Sequence, residues 1–216
     1  HVQILLFIFL LGILLAVIQI GLFTVAFHKL GLSQDSAFLL LFSSLFGSAI
    51  NLPLFSIKAQ RPDVTEMPWR FRAAIQRALQ RFNGRTVVAV NVGGGLIPIT
   101  FSGYLIAHNP IPWVQIVIAT GVVTAVAYVS SRPVPGLGIG MPIFVGPLAA
   151  AVMAMVTSRD YAAPLAYICG TLGVLIGADL LRLGDIRKMG APTAAIGGAG
   201  TFDGIFITGF VAVLLA

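Results

Sequence analysis

Long apolar stretches separated by short polar ones organise this chain. Runs of about 20 apolar residues fall at roughly 2–27, 37–57, 86–107, 112–130, 141–157, 162–181 and 192–216. A helix that crosses the hydrocarbon of a bilayer needs about 20 residues at 1.5 Å each. The pattern therefore predicts an all-α fold, a polytopic transmembrane helix bundle of about seven spans. Residues 1–216 form a single transmembrane domain on this reading. The first run is full length and lacks a basic start and a small-residue cleavage site, so it reads as a span and not as a cleavable signal.

One sizeable polar loop interrupts the pattern, at about 58–85. Within it Phe71, Ile75, Ala78, Leu79 and Phe82 fall on one helical face. Arg70, Arg77 and Arg81 form a separate stripe, and Asn83-Gly84 is a stop signal. The loop is expected to be an amphipathic helix on the cytoplasmic side, its arginines toward anionic headgroups. The alternative is a docking element for a protein partner.

Composition agrees with the pattern. Only 9% of residues are charged, against about 25% in soluble domains, and the mean hydropathy is +1.00. The net charge of +6 is explained by topology and not by nucleic acid. With the N-terminus inside, the inner loops carry Lys58, Arg61, Arg70, Arg72, Arg77, Arg81, Arg85, Arg132, Arg182, Arg187 and Lys188, while the outer loops carry Lys29 and Arg159. That bias sets a cytoplasmic N-terminus. The expected location is a cell membrane, crossed several times. Cys169 is the one cysteine, so thiolate clusters are excluded. No histidine has metal-ligand spacing to another, and no metal or cofactor is expected.

Charged and amide side chains inside the runs are the candidate site, because polar groups are costly at bilayer depth. Asp179 lies in "LIGADLLRL" and Asp203 in "GAGTFDGIFI". Asn51 lies in "AINLPLF" and Asn91 in "VNVGGGLIP". Asn51 precedes Lys58 by seven residues and Asn91 follows Arg85 by six. On helices both would lie roughly 10 Å from the inner surface. The residues "GAPTAAIGGAG" are poor helix formers. If 189–198 stay irregular and the last helix starts near Ala199, Asp203 lies one turn in, level with Asp179. Gly200 and Gly204 flank that acid as supporting backbone positions, and Ala199 and Gly200, on its own helical face, let a neighbouring helix approach. Gly173 and Gly177 lie on another face of their span, so they are assigned to packing against a different helix.

Two aspartates on the sixth and seventh spans, near the cytoplasmic side, resemble the presenilin and signal-peptide-peptidase type of intramembrane aspartyl protease. In that family the seventh span carries Gly-x-Gly-Asp. "GTFDGIFI" is similar to it, with Gly200 in the first position and Asp203 as the acid. Phe202 stands where the second glycine would be, and Ala178 where presenilins have tyrosine. The resemblance implies a catalytic pair, Asp179 and Asp203, with transmembrane peptides as substrates. The stretches "NVGGGLIP" and "GAGTFDGIFITG" also resemble a bacterial and archaeal family of small multipass proteins, which implies the plasma membrane of a prokaryote and supplies no chemistry.

Two carboxylates within hydrogen-bond reach share one proton. One then takes a proton from a water that attacks a peptide carbonyl, and the other protonates the carbonyl oxygen. Three alternatives stand beside this. Asp179 could pair with Arg182, three residues on. Asp203 could cap a helix starting at about 200. Asn51, Asn91, Asp179 and Asp203 could line an ion- or proton-coupled transport site, with a broken helix at Gly93-Gly94-Gly95. A non-catalytic membrane scaffold is the remaining class.

Overall fold

A computed structural model describes residues 20–60, 82–134, 138–198 and 204–216. The described residues begin with a bent pair, α1 (Ile20–Lys29) and α2 (Gln34–Gly47), whose axes turn through 113°. The Ser33 side chain accepts from the Ser36 N–H and starts α2. Next come β1 (Asn51–Lys58) and β2 (Arg85–Asn91), then a π-helical turn, Val92–Leu96, that runs into α3 (Ile97–His108). Helix α4 (Trp113–Ser130) is followed by a small hairpin, β3 (Arg132–Val134) and β4 (Gly138–Gly140). Then follow α5 (Val145–Thr157), α6 (Ala162–Val174) and a second π-helical segment, Leu175–Leu180. Helix α7 (Leu183–Met189), β5 (Thr193–Ile196) and α8 (Gly204–Leu215) complete the described chain.

Helix α6 is the centre of the core. Leu165, Ala166, Tyr167, Ile168 and Cys169 are all buried, and α3, α4, α5 and α8 pack around them. Small residues permit the close approach. A Cβ at Gly170 would meet Ala150 of α5 and Thr208 of α8, and one at Gly209 would meet Thr171 and Tyr167 of α6. Gly173 and Gly177 lie against Val123, Thr124, Ala127 and Tyr128 of α4, the separate packing face that their spacing predicted. Helix α4 buries the stripe Ile116, Ala119, Val123 and Ala127, the i, i+3, i+7 signature of one packed face. Its other side stays apolar and open, with Val114, Val117 and Val129 exposed.

The fold is mostly helical, and the all-α expectation is corrected by the presence of strands. Among the described residues two helices, Trp113–Ser130 and Ala162–Leu180, are long and apolar enough to cross a membrane, and the bent pair makes a third if taken as one. The runs 37–57, 86–107 and 192–216 are each part helix and part strand. Their strands form one sheet, in the order β1-β2-β5, with β1 antiparallel and β5 parallel to β2. The physical reason is local. "RTVVAVN" carries β-branched residues that suit a pleated strand, and Pro53 breaks a helix but is tolerated on an edge strand. Hydropathy alone does not separate a buried strand from a helix.

Residues 61–81 of the expected amphipathic helix, with Arg70, Arg77 and Arg81, lie outside the described residues. The ends of that loop are strand, since Lys58 closes β1 and Arg85 opens β2 opposite it. The segment expected to be irregular, 189–198, instead contains β5.

Candidate functional site

The hairpin register explains why Asn51 and Asn91 share a level. Asn51 pairs with Asn91 and Lys58 with Arg85, and a bulge between Pro53 and Phe55 absorbs the one-residue difference in spacing. As strands rise about 3.3 Å per residue, the asparagines lie roughly 20 Å along the hairpin from those cations, twice the helical expectation.

Asn91 is buried and works as a clasp. Its Oδ1 accepts from the Gly94 N–H at 2.8 Å, capping the first π-helical turn. Its Nδ2 donates to the Ser48 carbonyl at 2.7 Å and to Asn51 Oδ1 at 2.9 Å. Both amide hydrogens are thus committed, and the side chain joins α2, β1 and the turn. The glycines of that turn serve contact. A Cβ on Gly93 would overlap the Ser44 carbonyl oxygen and the Ser48 nitrogen of the α2 end. The Ser44 hydroxyl donates to the Gly93 carbonyl at 2.6 Å.

Asp179 occupies the second π-helical segment and is half-buried. Its Oδ2 accepts from the Gly197 N–H at 2.7 Å. Gly197 has φ of 84°, a left-handed conformation that glycine adopts without strain. A Cβ there would also lie 2.6 Å from Gly95 Cα and N. The turn after β5 is therefore wedged between the first π-helical turn and Asp179. The expected broken helix at Gly93-Gly94-Gly95 is corrected: these glycines form the π-helical start of a helix that runs on to His108, directly after β2.

Arg182 is engaged elsewhere. Its guanidinium donates to the Tyr128 carbonyl at 2.7 Å, to the Ser131 carbonyl at 2.9 Å and to the Ser131 hydroxyl at 3.2 Å. It also pairs with Asp185 at 3.1 Å and lies 4.2 Å from the centre of the Tyr128 ring. A cation on the last carbonyls of α4 suits the helix dipole. The expected alternative of an Asp179–Arg182 pair is replaced by an Arg182–Asp185 pair. The reason is geometric: the second π-helical segment ends between them, and Arg182 already caps α4.

Of the predicted site residues, Asn51, Asn91 and Asp179 converge on the sheet and its turn. Asp203 and Gly200 lie outside the described residues, and Gly204 is the first residue of α8. Among the described residues no three His, Cys, Asp or Glu side chains gather. Two contributors were not foreseen: the Gly197 N–H and the Ser131–Tyr128 cradle for Arg182. The Gly197-Gly198 pair signalled a turn, but nothing local signals which carboxylate meets its N–H.

Fold and site define a mostly helical protein with membrane-length helices, a small sheet, and an acid held by the backbone of the turn that follows the sheet's last strand. The chain matches the family described as "Protein of unknown function (DUF1614)" over residues 45–215 and belongs to that family. The matched region includes Asn51, Asn91, Asp179 and Asp203. No curated protein and no solved structure matches the chain.

Proposed function

We propose that this protein is a multi-pass integral membrane protein of the prokaryotic cell membrane. The seven apolar runs are its membrane segments and the N-terminus is cytoplasmic. The three-stranded sheet lies at the cytoplasmic ends of the runs. The exposed apolar side of α4 supports this reading, because a helix apolar all round is covered by protein or by lipid. The asymmetric distribution of lysine and arginine supports the orientation. Arg70, Arg77 and Arg81 meet anionic headgroups from the loop.

The activity that fits best is hydrolysis of transmembrane peptides by Asp179 and Asp203, acting as the presenilin-like pair that the sequence resembles. One observation carries it. Asp179 is held by a backbone N–H six residues before Asp203, and not by an arginine. Among the described residues its Oδ1 has no hydrogen-bond partner, so the carboxylate keeps an oxygen for a water or a shared proton. Asp203 activates or protonates in concert with it.

The test is cleavage of model transmembrane peptides by reconstituted protein, read by mass spectrometry, with Asp179→Asn and Asp203→Asn beside the native chain. Cleavage by the native chain and none by either variant is expected. Intact peptide with the native chain sinks the peptidase reading.

A second reading rests on the irregular backbone at Gly197, which lies against Gly95 of the first π-helical turn and holds Asp179. Irregular backbone beside polar groups forms ion and solute sites in membrane transporters. An ion-dependent flux abolished by Asp179→Asn, without peptide cleavage, would favour transport. The committed amide of Asn91 counts against its being an ion ligand. A chain with neither activity would be a scaffold.

A further inference from the structure

The β1–β2 hairpin has a use that neither reading assigns. Strand β1 is an edge of its sheet and pairs, among the described residues, only with β2. Seven of its eight residues are exposed. Leu52, Leu54 and Phe55 are 42%, 56% and 51% exposed. Edge strands facing water are normally blunted with charge. This one carries apolar side chains along its middle and charge only at its end.

That end is strongly cationic. Lys58 stands directly opposite Arg85, an arrangement that is unfavourable for like charges unless something anionic lies between or above them. Gln60 donates its N–H to the Arg187 carbonyl at 2.7 Å, which brings the last turn of α7 beside the hairpin. Lys58, Arg85, Arg187 and Lys188 are all exposed. Among the described residues the one ion pair is Arg182–Asp185, so none of these four is neutralised there.

We infer that this hairpin is a lipid-docking element: Lys58, Arg85 and Arg187 take the phosphates of anionic lipid headgroups, while Leu52, Leu54 and Phe55 enter the upper acyl region. The inference rests on the membrane reading above and adds the surface that meets the headgroups. Spacing selects lipid over a free phosphate or nucleic acid, since neither gives the apolar strand a covering. Leu54 is four residues from Lys58, roughly 13 Å along the strand, the separation between headgroup and acyl chain. The unpaired edge backbone keeps β1 out of the deep hydrocarbon, where no water could satisfy it. Interfacial depth reconciles both facts.

Two measurements on the full chain test it. In the first, Phe55→Trp is introduced with Trp69→Phe and Trp113→Phe and reconstituted in vesicles of phosphatidylcholine with 30% phosphatidylglycerol by design (about one anionic lipid in three). Its fluorescence should be quenched more by lipids labelled at acyl carbon 5 than by lipids labelled at carbon 12. In the second, phosphatidylglycerol is titrated against protein in neutral detergent. Lys58→Gln, Arg85→Gln and Arg187→Gln should each weaken the apparent affinity roughly fivefold. Absence of quenching, equal quenching at both depths, or unchanged affinity in the triple variant overturns the inference. So does a Trp signal that depends on protein concentration, which would mark a second copy on the edge. Resistance of the native chain to carbonate extraction tests the membrane reading separately.

Discussion

The two π-helical segments are linked through the Gly197 turn, which touches Gly95 of the first and Asp179 of the second, and they spend their polar groups differently. At Val92–Leu96 the neighbouring Asn91 is buried and has both amide hydrogens committed, one to Ser48 and one to Asn51. At Leu175–Leu180 Asp179 is half-buried and takes one N–H, from Gly197. The first segment packs so tightly on the end of α2 that no side chain fits at Gly93. The second keeps a carboxylate oxygen without a partner among the described residues. A π-helical segment is thus not by itself a site. What distinguishes the two is whether the polar group beside it has capacity left.

That contrast can be broken by substitution, with stability measured as thermal unfolding in detergent. Gly93→Ala should have the largest effect, about 3 kcal/mol, because the new Cβ would overlap backbone atoms of Ser44 and Ser48 that no rotamer change can move. Gly103→Ala, which meets nothing nearby, should change stability by less than about 0.5 kcal/mol. Asn91→Ala should cost roughly 2–3 kcal/mol, since it leaves the buried Gly94 N–H and the Ser48 carbonyl without their partner. Arg182→Ala should cost about 2 kcal/mol by uncapping α4, and Arg182→Lys should restore little of it, because an ammonium cannot reproduce the guanidinium fork. Asp179→Asn should be the mildest change among the hydrogen-bonding residues, below about 1 kcal/mol, because an amide oxygen can still accept from Gly197. The same variant should remove the proposed cleavage altogether. A loss of stability as large as that of Asn91→Ala would make Asp179 a second clasp and erase the distinction.

Much of the site was legible before the fold. The glycines around 93–95 and 197–198 marked the ends of strands, though not the broken helix expected at 93–95, and Asp179, Asn51 and Asn91 stood out against apolar surroundings. The separate packing face of Gly173 and Gly177 followed from helical angles alone. The strands were not legible, because runs such as "INLPLFSI" and "TVVAVNVG" are apolar enough for a span and short enough for a strand. The depth estimate for the asparagines failed for the same reason, since the rise per residue depends on which element forms. Their common level nevertheless held, because a hairpin and a helix pair both match residues at similar distances from a shared turn.

The sequence by itself determined the apolar segments, the charge asymmetry between the loops and the residues able to carry chemistry, since these follow from composition and spacing along the chain. The tertiary structure alone decided partnership. That Arg182 takes the end of α4, that Asp179 takes Gly197, and that Asn51 faces Asn91 are long-range or register facts. A hydrogen bond needs two groups within about 3 Å. Pairs separated by 18 to 54 residues meet only when the packing of several elements has already brought their backbones together.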